Sequence, residues 1–370
     1  METKIKNVMP SLFEMPIEEI NKLNIVNPGD IKKMVNNEIP TYIYGAGITA
    51  SKVFNYINKL GVNVSGFVVD KKNIDSLYNL PVFDFNQIEQ VPINVILGYV
   101  PTDETVQEVY NKVLEKHKFI NFIVYDFSFL SFGLFDDDYL NSKEFNWIKE
   151  KLEDKYSIDT LIAYVKSRNN GDYSICEKFY DPNQYFPHNI ISFKKNEIFV
   201  DCGVFDGETI EEFISRNDNS FDYIYGFEPD KNNYENSINN LKSISPKKFK
   251  IFNLGSWNKN DILKFNSISE RVSEIDPNGT VEIKVDSIDN LISNNKVSFI
   301  KMDVEGAELN SLRGAEKIIK LNRPKLAICL YHKPEDIYDI TYWINSLKLN
   351  YKYYIRLHTR FSQELVLYCV

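Results

Sequence analysis

Cysteine is scarce in this chain, and none of it is paired by spacing. The four cysteines, Cys176, Cys202, Cys329 and Cys369, lie far apart with no Cys-x-x-Cys among them. That excludes a zinc ribbon or a disulfide framework as the organising device. Two of them fall in predicted buried strands and read as core thiols of a reducing compartment. No apolar run approaches the ~20 residues that cross a bilayer. The first residues, Met-Glu-Thr-Lys-Ile-Lys-Asn, lack the apolar core of a signal peptide, so a cytoplasmic location is expected. An excess of basic charge is missing too. Against 52 Asp and Glu stand 43 Lys and Arg, a net charge of −9. An extended phosphate-binding face is therefore not expected, and nucleic acid is disfavoured as a partner.

What is present is enough apolar material for packed cores. The chain has 370 residues, 43% hydrophobic and 14% aromatic, a length that suggests two domains. Strand and helix patterns alternate in both halves, which predicts α/β architecture. The expected division is a small Rossmann-like domain over 1–126, a helical linker over 127–190 and a second α/β domain over 191–370.

The most informative stretch is 196–209, Asn-Glu-Ile-Phe-Val-Asp-Cys-Gly-Val-Phe-Asp-Gly-Glu-Thr. A short apolar run at 198–200 reads as a buried strand closed by Asp201. Gly203 and Gly207 bracket a turn, and helical spacing follows from Thr209. Glycine lets a ligand approach the backbone closely. The next apolar strand, 223–227, ends in Glu228-Pro229-Asp230, where a carboxylate is placed to bind ribose hydroxyls. A dinucleotide site would keep this loop free of acid to hold pyrophosphate. Here the loop carries Asp201, Asp206 and Glu208. Three carboxylates suit a ligand with a sulfonium and an ammonium group instead, which points to S-adenosylmethionine.

The C-terminal half resembles the FkbM family of S-adenosylmethionine-dependent methyltransferases. The resemblance rests on 199–209, on Gly-Phe-Glu-Pro-Asp at 226–230, and on Phe-Ile-Lys-Met-Asp-Val-Glu-Gly-Ala-Glu at 299–308. Leu-Arg-Gly-Ala at 312–315 and Pro-Lys-Leu-Ala-Ile-Cys-Leu-Tyr-His-Lys-Pro-Glu-Asp at 324–336 extend it. It implies a class I methyltransferase sheet with a closing antiparallel hairpin at 351–369. It also implies O-methylation of a sugar, glycan or related small metabolite. The chain departs from the commoner family loop, Asp-Val-Gly-Ala-Asn-x-Gly, by having Val204 and Phe205.

In this reading the cofactor is held by Asp201, Cys202, Gly203, Asp206, Gly207, Thr209, Glu228 and Pro229. Gly255, Ser256 and Trp257 follow the third strand on the adenine side, where Trp257 either stacks on the ring or serves the core. The fourth strand delivers Asp303 at its carboxyl end, with Glu305 two residues on. The fifth is followed by Tyr331 and His332. Methyl transfer to a hydroxyl needs in-line geometry and a proton acceptor. His332 is the first candidate base because its ordinary pKa lies near neutrality. Asp303 and Glu305 would orient it or the acceptor. Tyr331, Arg356 and His358 are candidate substrate contacts, Glu308 reads as a solvated helix residue, and Tyr185 as either a cofactor contact or a packed aromatic. An Asp/Glu/His set is able to hold a divalent ion, but no ligand spacing in the sequence commits one.

The N-terminal half repeats the strand, glycine turn, helix and acidic-end order with Gly45, Gly47 and Asp70. Its two readings are a bound nucleotide or nucleotide sugar, or a ligand-free fold serving assembly. Methylation of protein stays open, with RNA disfavoured by the acidic charge, and so do two other functions. One is a nucleotide-sugar-binding scaffold or sensor without catalysis. The other is a nicotinamide-dependent sugar oxidoreductase, although no Tyr-x-x-x-Lys relay follows Gly47.

Overall fold

The computed structural model describes residues 31, 35–99, 103–123, 125–171, 174–243, 248–265, 281–292 and 296–370. The sequence also predicts a short amphipathic helix starting at 16–20 and a hairpin insertion turning at 276–279, and both of these stretches lie outside the described residues. Two compact units emerge. The first comprises 1–137, 161–180 and 359–363, and the second 138–160, 181–358 and 364–370. Residues 127–190, expected to bridge, are thus divided between the units.

In the first unit, β1 (Thr41–Tyr44) leads through a glycine turn into α1 (Ile48–Lys59), and β2 (Gly66–Val69), β3 (Ser76–Leu77) and β4 (Leu80–Asp84) follow. β5 (Ile93–Leu97), α2 (Asp103–Lys116) and β6 (Ile120–Ile123) complete it. The sheet order is β3-β4-β2-β1-β5-β6, with all pairs parallel except β3–β4. Alternate residues of β1 serve opposite faces, as the two-residue strand period requires. Ile43 packs with Ala50, Val53 and Ile57 of α1, while Tyr44 packs with Val106, Val109 and Val113 of α2.

The second unit holds the larger sheet. Its strands are β7 (Glu197–Cys202), β8 (Phe221–Phe227), β9 (Phe249–Phe252), β13 (Phe299–Met302), β14 (Lys325–Cys329), β15 (Tyr353–Leu357) and β16 (Leu365–Cys369). Their order is β15-β16-β14-β13-β7-β8-β9, and only β16 runs antiparallel to its neighbours. That is the closing hairpin the sequence predicts. β10 (Gly255–Ser256), β11 (Asp261–Phe265) and β12 (Val281–Asp286) form a separate three-stranded sheet. The helices that matter for the site are α3 (Glu208–Arg216) after β7, α4 (Glu308–Arg313) after β13 and α5 (Asp336–Ser346) after β14. All six residues of β7 are buried, as a strand covered on both faces should be. Beneath it Phe199 stacks on Phe213 of α3 at 4.5 Å, each ring contributing about 1.5–3 kcal/mol by burial. This order puts the carboxyl ends of β7, β8, β13 and β14 along one edge, where open α/β sheets bind ligands.

Candidate active site

The turn after β7 is shaped by backbone contacts. Gly203 has φ +86°, and a Cβ there would lie 1.8 Å from the Asp303 carbonyl oxygen. No side chain fits, so the glycine is required by a backbone-to-backbone approach between two strand ends. Gly207, at φ +99°, caps α3. Between them Phe205 also adopts a left-handed backbone, φ +53°, with its ring 45% exposed. Asparagine tolerates that region far better than phenylalanine, which accounts for asparagine in the commoner family loop. The Phe205 amide donates to Glu228 Oε2 at 2.8 Å, and the Asp230 amide to Oε1 at 2.9 Å. Burial pushes the Glu228 carboxyl up to about 7, against those two amides. Two backbone amides occupy only part of a carboxylate's acceptor capacity. Pro229, Asp206 and Thr209 are partly buried in the same region, and Asp206 accepts from the Glu208 amide at 3.2 Å.

Asp201 is not the open acidic tip expected. β7 extends to Cys202, so Asp201 lies inside the sheet, fully buried. It stands in register with Lys301 of β13, whose Nζ is 3.0 Å from Asp201 Oδ1. Lys301 also donates to the Gly203 carbonyl at 2.6 Å and sits 5.0 Å over the Tyr185 ring. Burial raises the Asp201 carboxyl, and Lys301 opposes it. A carboxylate spent on a lysine is not gripping a ligand's ammonium. Cys202 is likewise interior, its thiol pushed up to about 12 by burial. On the expected adenine side, Gly255 and Ser256 form β10 instead of a free loop. Ser256 Oγ is bound to Ser311 Oγ at 2.8 Å, which takes it from an adenine edge. Trp257 is partly buried, and its amide donates to Asp286.

The charges gather past β13 and β14. Asp303 accepts from Tyr185 Oη at 2.8 Å and Tyr331 Oη at 3.1 Å. His332 Nε2 lies 3.6 Å from Asp303 Oδ1 and 3.3 Å from Glu305 Oε2, while Nδ1 lies 3.0 Å from Glu308 Oε1. Burial would lower the His332 pKa, but Glu308, Glu305 and Asp303 outweigh it and hold the ring well above its ordinary value. Those carboxylates favour the charged ring, which makes His332 a less ready base than the sequence suggests. Burial would raise Asp303, yet the His332 and Lys301 cations and two tyrosine hydroxyls keep it low. Burial raises the Glu305 carboxyl, against the pull of His332. Burial pushes Asp336, at the start of α5, and Glu364 up to about 7.

Arg356 and His358 do not join this set as substrate contacts. Arg356 is buried, with Nη2 2.8 Å from Asp154 Oδ2 and Nη1 2.8 Å from Ser157 Oγ. His358 bonds the Asp181 carbonyl and Tyr368 Oη, both at 2.7 Å, and burial pushes it down to about 4. In the first unit Gly45 has φ +113° against the Tyr99 ring, and Gly47 caps α1. Asp70, expected to meet a ribose, instead accepts from Tyr44 Oη at 2.6 Å and pairs with Lys112 at 3.1 Å and Lys116 at 3.5 Å.

Sequence reasoning missed Lys301 and misplaced Glu308. Lys301 is the only charge in the apolar run Val297–Met302, and a lysine inside a buried strand demands a counter-ion. Glu308 is fully buried, accepting from the Val304 amide at 2.9 Å and meeting His332. In a six-residue helix, periodicity cannot separate the buried face from the wet one. Tyr185 and Glu364 have no pattern of their own, since each reaches the cluster from outside the β13–β14 segment.

A seven-stranded sheet with one antiparallel strand, a glycine turn after its central strand and acidic carboxyl ends beside it defines a class I methyltransferase-like α/β domain. Residues 201–353 match the family model described as "Methyltransferase FkbM domain". A crystal structure of methyltransferase FkbM from Methylobacillus flagellatus KT matches at 22% identity with a TM-score of 0.65. It covers 93% of this chain and 92% of that one, so the likeness extends to the whole fold. An rRNA methylase from Streptococcus thermophilus matches at 12% identity, over 48% of this chain and 86% of that one, with a TM-score of 0.31. Aeropyrum pernix fibrillarin with natively bound S-adenosyl-L-methionine matches at 10% identity, over 48% and 67%, with a TM-score of 0.30. The last two superpose too loosely to bear on function. No curated protein matches. Among the described residues no helix is long and apolar enough to cross a membrane.

Proposed function

We propose that the chain is an S-adenosylmethionine-dependent O-methyltransferase acting on a hydroxyl of a sugar, glycan or related small metabolite. One observation carries the reading: Asp303, Glu305 and Glu308 surround His332 beside the turn built on Gly203. The donor set suits the cofactor. Glu228 at the end of β8 retains acceptor capacity for ribose hydroxyls, and the Gly203–Gly207 turn presents backbone next to it. When bound, S-adenosylmethionine supplies an electrophilic methyl group on a sulfonium. Glu305 accepts the acceptor's hydroxyl proton, Asp303, fixed by Tyr185 and Tyr331, orients that hydroxyl, and His332 lies beside both carboxylates. The oxygen-rich cluster favours a polyhydroxyl acceptor over an apolar one. Arg356 and His358 have no part in holding it.

The test is methyl transfer from labelled S-adenosylmethionine to glycans and small sugars, with calorimetry of cofactor binding alongside. Asp303→Asn is expected to cut turnover by about a hundredfold or more while cofactor affinity is unchanged. An Asp303→Asn variant that transfers methyl groups at the parent rate would sink the assignment.

A further inference from the structure

The cluster around His332 holds more negative charge than its own side chains answer. Asp303, Glu308 and His332 each offer a ligand atom, all within 4.8 Å of one another. Ligands of a small divalent cation at roughly 2.0–2.2 Å stand about 3–4.4 Å apart, so little side-chain movement separates this arrangement from a coordination shell. Such clusters are common without an ion, and two further atoms distinguish this one. Glu308 is fully buried, and its Oε2 has no hydrogen-bond partner among the described residues. Asp336, 5% exposed at the start of α5, also has an unpartnered Oδ2 among the described residues. A buried carboxyl oxygen without a donor is costly, and a cation at this cluster answers Glu308 Oε2.

We propose that Asp303, Glu308 and His332 ligate a small first-row divalent cation, with the half-exposed Glu305 beside it. Carboxylate oxygens with a single imidazole suit Mn²⁺ more than Ca²⁺ or a thiophilic ion. The cation lies where Asp303 faces the acceptor, polarising its hydroxyl and lowering the barrier to deprotonation. Its role in the reaction rests on the reading above, but its binding does not.

Mn²⁺ titrated into the purified chain and followed by electron paramagnetic resonance tests the site without turnover. One tightly bound equivalent with a pulsed-spectrum imidazole-nitrogen coupling is the expected result. Glu308→Gln and Asp303→Asn should each weaken binding by at least tenfold, and His332→Gln should abolish the nitrogen coupling. No bound Mn²⁺, bound Mn²⁺ without nitrogen coupling, or undiminished affinity in folded Asp303→Asn overturns the proposal. Calorimetry with S-adenosylmethionine on the same samples separates the two ideas. Intact cofactor binding with no cation sinks only this site, whereas absent cofactor binding sinks the methyltransferase mechanism.

Discussion

The two units are built on the same order of elements and treat the end of that order differently. In the first, Asp70 closes a strand after a glycine turn and is satisfied by Tyr44 and two lysines at a surface where its side chain is 44% exposed. In the second, Asp201 and Glu228 close the corresponding strands from within, both buried, and the ends of β13 and β14 add Asp303, Glu308 and His332. Burying ionisable groups costs several kcal/mol unless each is paired. A chain keeps such an arrangement where the charge has work to do. The same order of elements thus ends in an exposed, paired carboxylate in one unit and in buried ionisable groups in the other.

The contrast breaks first on stability. Asp201→Ala leaves Lys301 buried without its counter-ion and should cost about 3–5 kcal/mol, whereas Asp70→Ala removes an exposed partner and should cost about 1 kcal/mol or less. All three tryptophans, Trp147, Trp257 and Trp343, lie in the second unit. Tryptophan fluorescence during denaturant unfolding therefore reads the Asp201→Ala loss, and calorimetric unfolding, which covers both units, reads the Asp70→Ala loss. Equal losses in the two variants would erase the distinction.

Acid sharpens it next. His358 titrates at about 4 when folded against an ordinary 6.5, so the unfolded chain takes up its proton first. Stability of the second unit should fall by roughly 3 kcal/mol as pH drops from about 6.5 to about 4. His358→Gln should flatten that part of the fluorescence-monitored profile.

Ligand binding gives the smallest effect. Glu228→Ala removes a charged acceptor and should weaken S-adenosylmethionine about tenfold or more by calorimetry, and Asp70→Ala should leave the affinity unchanged. A loss on Asp70→Ala would move the cofactor to the wrong unit.

Much of this was legible in order along the chain. Gly203, Glu228, Asp303 and His332 stand at strand ends that apolar runs announce, and the antiparallel closing strand followed from the resemblance. What was hidden lies across the sheet. Asp201 looked like a tip because the strand's apolar letters stop at Val200, yet pairing with β13 carries the strand to Cys202 and sets Lys301 beside it. Arg356 and His358 looked available because a hairpin turn is usually wet, but Asp154 and Asp181 reach them from distant sequence.

Phe205 carries one further consequence. The turn around it is held by the Val204 and Phe205 amides and the Gly207 amide, and none of those bonds involves the ring. The outline of the turn is therefore independent of what is written at this position. Phe205→Asn should relax the backbone without redrawing it, making residue 205 a natural address for changing what the turn presents to solvent while the scaffold stays the same.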